Sequence, residues 1–192
     1  MPPKAKFTKQ EIINASIEII ETTGIDTLTA RSLGDKLGSS ARPIFTVFDS
    51  MEEVLSATFA YANEIYESYV KNGLKEPLPF KGVGLSYVKF ASERPKLFRL
   101  LFMKENKRIY NMQNVLAGIE SNYDLILNSI VTCYGVDKEI AKKLYLHIWV
   151  YTHGIAVLIA TKMCKFTNAE LSDMLTEVFT SLLKKAKLGE LK

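Results

Sequence analysis

Residues 29–55 read TARSLGDKLGSSARPIFTVFDSMEEVL, and this stretch decides the fold. Thr29 is a helix N-cap type placed ahead of a short apolar-periodic run that stops at Gly38. Ser39 or Ser40 can cap a further helix of two turns. Leu33 and Leu37 on the first short helix, and Ile44 and Phe48 around the second, have the spacing to pack on one apolar face. Such a pair leaves Ser40, Ala41, Arg42, Pro43 and Thr46 pointing outward. That is the pattern of a helix-turn-helix, which can seat its second helix in a DNA major groove. Short helices joined by a glycine also make plain helical corners, so spacing by itself leaves both readings open. Pro43 is tolerated in a first turn, where its missing N–H costs no helical bond, and it biases Arg42 away from helical geometry.

Upstream, Thr8 and Glu11 form a capping box, with Ile12, Ala15, Ile19 and Ile20 on one face, and Gly24 ends the helix. Downstream, a long helix is expected over residues 50–72, and the run 73–79, GLKEPLP, is the best linker candidate. Further helices are expected over residues 80–93, 95–103, 110–133, 137–165 and 167–187. The expectation is an all-α chain of about nine helices, with a three-helix head over residues 1–50 and a helical body over 51–192.

Composition is that of a soluble globular protein, with 47% hydrophobic and 24% charged residues and a net charge of +4. Residues 1–50 carry six basic side chains, at 4, 6, 9, 31, 36 and 42, and six acidic ones, so any positive surface there must come from placement. Cys133 and Cys164 lie in apolar contexts and are expected as reduced, buried thiols of a cytoplasmic protein. Residues 144–160, LYLHIWVYTHGIAVLIA, are apolar nearly all round. The run is short of the roughly 20 residues a membrane span needs and carries His147 and His153, so it is expected as a buried core helix.

Residues 8–55 resemble the N-terminal region of the TetR family of transcriptional regulators. The resemblance is carried by Gly24, Leu28-Thr29, Leu37-Gly38, Phe45, Phe48 and the run Met51-Glu52-Glu53-Val54-Leu55. It implies a homodimeric DNA-binding regulator, a repressor released from a pseudo-palindromic operator by a small ligand. It also implies DNA contacts at Thr29, Arg31, Ser40, Ala41, Arg42, Pro43, Phe45 and Thr46, with Arg31 and Arg42 as sequence readers. Phe45 stands in place of the family's usual Tyr, Val47 in place of a frequent His, and Met51 in place of a Lys, each removing a phosphate contact. Those departures keep a rival open, a helical ligand- or partner-binding protein whose helix-turn-helix has lost DNA affinity. A basic arm of Lys4, Lys6 and Lys9 could compensate by lying along phosphates.

The family pairs its head with a body that binds a small molecule and dimerises. Here Trp149 and His153, with Gly154, resemble a Trp-x-x-x-His-Gly motif of one TetR subgroup, and four-residue spacing puts the two rings on one helix face. A small-molecule site is expected among Tyr87, Phe90, Phe98, Phe102, Tyr110, Trp149 and His153, although aromatics in a helical domain also serve simply as core. The last helix carries Leu171, Leu175, Val178, Phe179 and Leu182 as an apolar stripe, expected at the dimer interface. His147 and His153 fall on different faces, and no Cys or carboxylate completes a zinc spacing. No nucleophile elbow or phosphate-cradling loop is present, so no metal, cofactor or enzymatic activity is expected.

Overall fold

The computed structural model describes residues 5–105 and 109–191, and among these every regular element is helical. The α-helices are α1 (Lys9–Thr23), α2 (Ala30–Lys36), α3 (Met51–Gly73), α4 (Pro79–Glu93), α5 (Pro95–Phe102), α6 (Val115–Ile119), α7 (Tyr123–Tyr134), α8 (Lys138–Ala160) and α9 (Asn168–Lys187). Local chemistry explains most of the boundaries. Thr8, Thr29 and Thr167 each close a capping box, with Glu11, Ser32 and Glu170 respectively, and Asp137 accepts the Ile140 N–H at the start of α8. Each such cap is worth about 1 kcal/mol. Gly135 ends α7 in the left-handed conformation at φ 62°.

Two helices differ from expectation. The second helix of the expected helix-turn-helix is reduced to a 3-10 turn, Ile44–Thr46. Pro43 supplies no N–H to the preceding turn, and β-branched Ile44, Thr46 and Val47 follow it. The bonds that form, from Ile44 N to Ala41 O and from Phe45 N to Arg42 O, are three-residue ones. The helix expected over 110–133 is broken into α6 and α7. Glu120 is extended at the break, and its carboxylate accepts the Asn122 N–H at 3.0 Å and the Tyr66 hydroxyl at 2.6 Å. A tertiary partner holds Glu120 inward, and its side chain replaces a helical carbonyl.

The chain divides into two compact units. The first holds residues through Ile65 together with Arg94–Lys104, and the second holds Tyr66–Glu93 and the residues from Glu105 on. In the first, α1 packs against α2 and α5. Ile12, Ile20, Leu33, Ile44, Leu97 and Phe98 are fully buried there and Phe48 nearly so, while Leu37 is half-buried. In the second, α8 lies against α4, α7 and α9, and α4 also touches α7 and α9. The 73–79 run, expected as a linker, is a packed turn inside this unit. A Cβ on Gly73 would stand 2.6 Å from the Gly82 backbone, so only glycine allows the approach.

The helix expected to be buried on every side is not. By length and composition α8 is a candidate membrane span, but it is a packed helix of the second unit that buries Leu144, Ile148, Thr152, Ile155 and Ala156. Lys143, His147, Val150 and Gly154 stand exposed along its opposite stripe. Both cysteines also depart from expectation, since Cys133 and Cys164 are exposed. Apolar neighbours in sequence do not decide which face a residue itself occupies.

Candidate functional site

In the first unit, the turn after α2 crosses that helix at Gly34. A Cβ there would stand 2.9 Å from Ser39 O and 3.0 Å from Ala41 N, so backbone lies directly on backbone. Arg31 lies three residues before Gly34 on α2 and is exposed. Arg31, Ser40, Arg42, Phe45 and Thr46 are exposed, and Ala41 and Pro43 half-exposed. Lys6 joins them through a hydrogen bond from its ammonium to Ser39 Oγ at 3.1 Å. Lys4 lies outside the described residues. Lys9 belongs to α1 and is not part of an arm. It pairs with Glu53 at 3.2 Å and covers the Phe48 ring.

Ion pairs and caps engage part of the acidic complement of the first unit. Glu18 pairs with Lys36 at 2.7 Å and Glu21 with Arg94 at 2.6 Å. Glu53 is drawn below the usual carboxylate range first by the Asp49 N–H and then by Lys9. Glu11 is held low by the Thr8 backbone N–H. Lys6, Arg31 and Arg42 make no ion pair among the described residues, and neither do Asp26, Asp35 and Asp49; of these, the Lys6 ammonium and Arg42 lie at residues 39–42. The two threonines expected at phosphates are engaged locally. Thr29 is bound to Ser32 in its capping box, and the Thr46 hydroxyl donates to Pro43 O at 2.7 Å.

In the second unit, Tyr87 Oη and His153 Nδ1 are 2.8 Å apart, and the His153 ring stacks on Trp149 at 5.4 Å between centroids. Burial pushes the Tyr87 hydroxyl far above its ordinary value and lowers His153. Tyr87 therefore donates and a neutral His153 accepts at Nδ1, leaving Nε2 with the proton. Behind this pair, Tyr66 packs edge-on against Tyr87 at 5.8 Å and donates to buried Glu120, and Phe90 closes the cluster at 5.5 Å from Tyr66. Desolvation also raises Tyr66 and Tyr145 well above the phenol range, with Glu120 the next cause for each. Tyr66, Glu120 and Asn122 were not legible as site residues. Their contact spans 54 positions in the chain and has no local signature.

The expected ligand residues are drawn from both units. Tyr87, Phe90, Trp149 and His153 share the second unit, with Trp149 and His153 half-exposed. Tyr110 belongs to the same unit but donates to Gly118 O at 3.2 Å. Phe98 and Phe102 belong to the first unit, where they pack on each other at 5.2 Å. Of the expected dimer stripe, Leu171 and Leu175 join Val88 and Ile155 in a core cluster, and Phe179 packs on Phe80 and Tyr134. Val178 and Leu182 are half-exposed. No cluster of metal-ligand type occurs among the described residues.

No protein-family model matches the sequence, and no curated protein sequence matches it. Solved structures do match over nearly the whole chain. A TetR-like transcriptional regulator of Rhodococcus sp. RHA1 aligns with 98% of this chain and 100% of its own, at TM-score 0.62 and 13% identity. The fold is that of TetR-like regulators. A TetR-family regulator from Mesorhizobium loti covers 95% of this chain and 98% of its own at TM-score 0.54 and 16% identity. The fatty acid degradation regulator FadR of Bacillus halodurans covers 91% and 94% at 0.53 and 15% identity. Residues 29–48 lie in the first unit, and α3 begins at Met51.

Proposed function

We propose that the protein is a TetR-like transcriptional regulator, a cytoplasmic homodimer that represses by binding a pseudo-palindromic operator and lets go when a small molecule fills its body. It has no catalytic role. The observation that carries the reading is a TetR-like fold whose first unit exposes Lys6, Arg31 and Arg42, with Lys6 bonded to Ser39 in the turn that packs on Gly34. Arg31 and Arg42 read base edges, with Ser40, Ala41, Pro43, Phe45, Thr29 and Thr46 beside the backbone. The exposed stripe of α8, with Val178 and Leu182 of α9, is the pairing face, and the Tyr87–His153–Trp149 group is the effector wall. Helix α3 contributes residues to both units, so an effector that favours the non-binding arrangement acts through it.

One observation favours the second reading. The only helical turn among residues 39–46 is the 3-10 turn Ile44–Thr46, so the head presents less helix to a groove than a helix-turn-helix normally does. On that reading the body binds its ligand or partner and the head no longer binds DNA. Selection from a random DNA pool, followed by gel shifts on the selected sequences and on the DNA upstream of the gene, separates the two. A salt-sensitive complex supports the regulator, and its absence from both DNAs overturns it.

A further inference from the structure

The second unit holds a partly open cavity of about 150 Å³ lined by residues of α4, α7, α8 and α9, apart from the Tyr87–His153 pair. Phe80, Ile148, Leu175, Phe179 and Leu183 give it apolar walls. A cavity of this size with such a lining accommodates a benzene-sized group. Its polar members are Lys81, Tyr134, Thr176 and Thr180. The Thr176 hydroxyl donates to Ser172 O at 2.6 Å and the Thr180 hydroxyl to Thr176 O at 2.8 Å, so neither has a proton to offer a ligand. Lys81 is half-buried and has no ion-pair partner among the described residues. Burial raises Tyr134 above the usual phenol value and keeps its O–H. The cavity therefore offers an apolar slot, one ammonium and one phenolic donor, and no carboxylate lines it. A half-buried ammonium beside apolar walls gains most from a desolvated anion.

We propose that this cavity binds a small organic monoanion, an aromatic or short branched carboxylate. Its apolar group sits among Phe80, Ile148 and Phe179, and its carboxylate is held by Lys81 with Tyr134 as second donor. The site is separate from the effector wall proposed above and does not depend on DNA binding.

Calorimetric titration of the full-length protein with sodium benzoate, and with benzyl alcohol as the neutral counterpart, tests it in the absence of DNA. Benzoate binds saturably and at least about tenfold more tightly than the alcohol. Lys81→Met removes that preference, whereas Lys81→Arg keeps benzoate affinity within about threefold. Gly84 also lines the cavity, and a Cβ there meets only Leu175 Cδ1 at 3.5 Å, so Gly84→Leu fills the space and abolishes binding of both probes. If Gly84→Leu fails to fold, the two Lys81 variants decide. Absence of saturable benzoate binding, equal affinity for the two probes, or undiminished benzoate binding by Lys81→Met overturns the proposal. Because no DNA is present, these outcomes are independent of whether the head binds an operator.

Discussion

Trp149 is the only tryptophan in the chain and stacks on His153, so it reports that residue's charge directly. Burial lowers His153, and the neutral ring accepts from Tyr87. Protonated imidazole quenches indole emission, so fluorescence should fall in acid with a midpoint below the ordinary histidine value near 6.5. His153→Asn should abolish the transition, and a midpoint at or above 6.5 would contradict the burial argument. The stability consequence has a definite sign. A histidine depressed in the folded state leaves the unfolded chain binding more protons. His153 should therefore cost no stability above about pH 6.5 and should destabilise the fold as pH falls from there toward its folded value. Thermal melts of wild type and His153→Asn across pH 5–7.5 check this, the variant showing the weaker pH dependence. Tyr66→Phe strands a buried acceptor of Glu120 and should cost about 1–3 kcal/mol in urea unfolding. At this scale the sequence makes the Trp149–His153 pair legible because four-residue spacing is local. It conceals Tyr66–Glu120 because that pairing exists only once α3 and the α6–α7 break are folded together.

Element boundaries were legible where a cap side chain defines them. Thr8, Thr29, Asp137 and Thr167 could be read as helix starts because a capping hydroxyl or carboxylate acts within three residues. For residues 39–48 the serine cap and apolar spacing predict a helix of two turns. Pro43 and its β-branched successors hold it to a 3-10 turn instead. Gly34 shows the same contest decided by packing. In an exposed helix, Gly→Ala is worth about 1 kcal/mol of stabilisation. Here the new Cβ meets backbone at 2.9–3.0 Å, and backbone cannot yield as a flexible side chain does. Gly34→Ala should therefore destabilise the chain by about 1–3 kcal/mol. It should also displace residues 39–42 from α2 and weaken DNA binding. Unchanged stability in denaturant titration would show that the segment is not held on α2.

On the scale of the whole molecule, a TetR-like fold leaves two surfaces exposed that bear on its function. The α8 stripe of Lys143, His147, Val150 and Gly154 is the first. If it is the pairing face, the wild-type protein is a dimer by light scattering, and Val150→Glu shifts it to monomer while leaving the helical spectrum intact. A monomeric wild type would remove the pairing claim. The surface at residues 39–42, with the Lys6 ammonium and Arg42, is the second, and DNA binding is the central claim. The most direct measurement is the affinity of the full-length protein for its selected DNA as a function of salt, by fluorescence anisotropy. Each neutralised phosphate adds about 0.9 to the slope of log affinity against log salt, and each arginine that pairs bidentately with guanine is worth about 1–3 kcal/mol. The account predicts a steep salt dependence for wild type, and loss of sequence preference in Arg31→Ala and Arg42→Ala with residual salt-sensitive binding. Affinity that does not change with salt, or arginine variants that keep the wild-type preference, would contradict it.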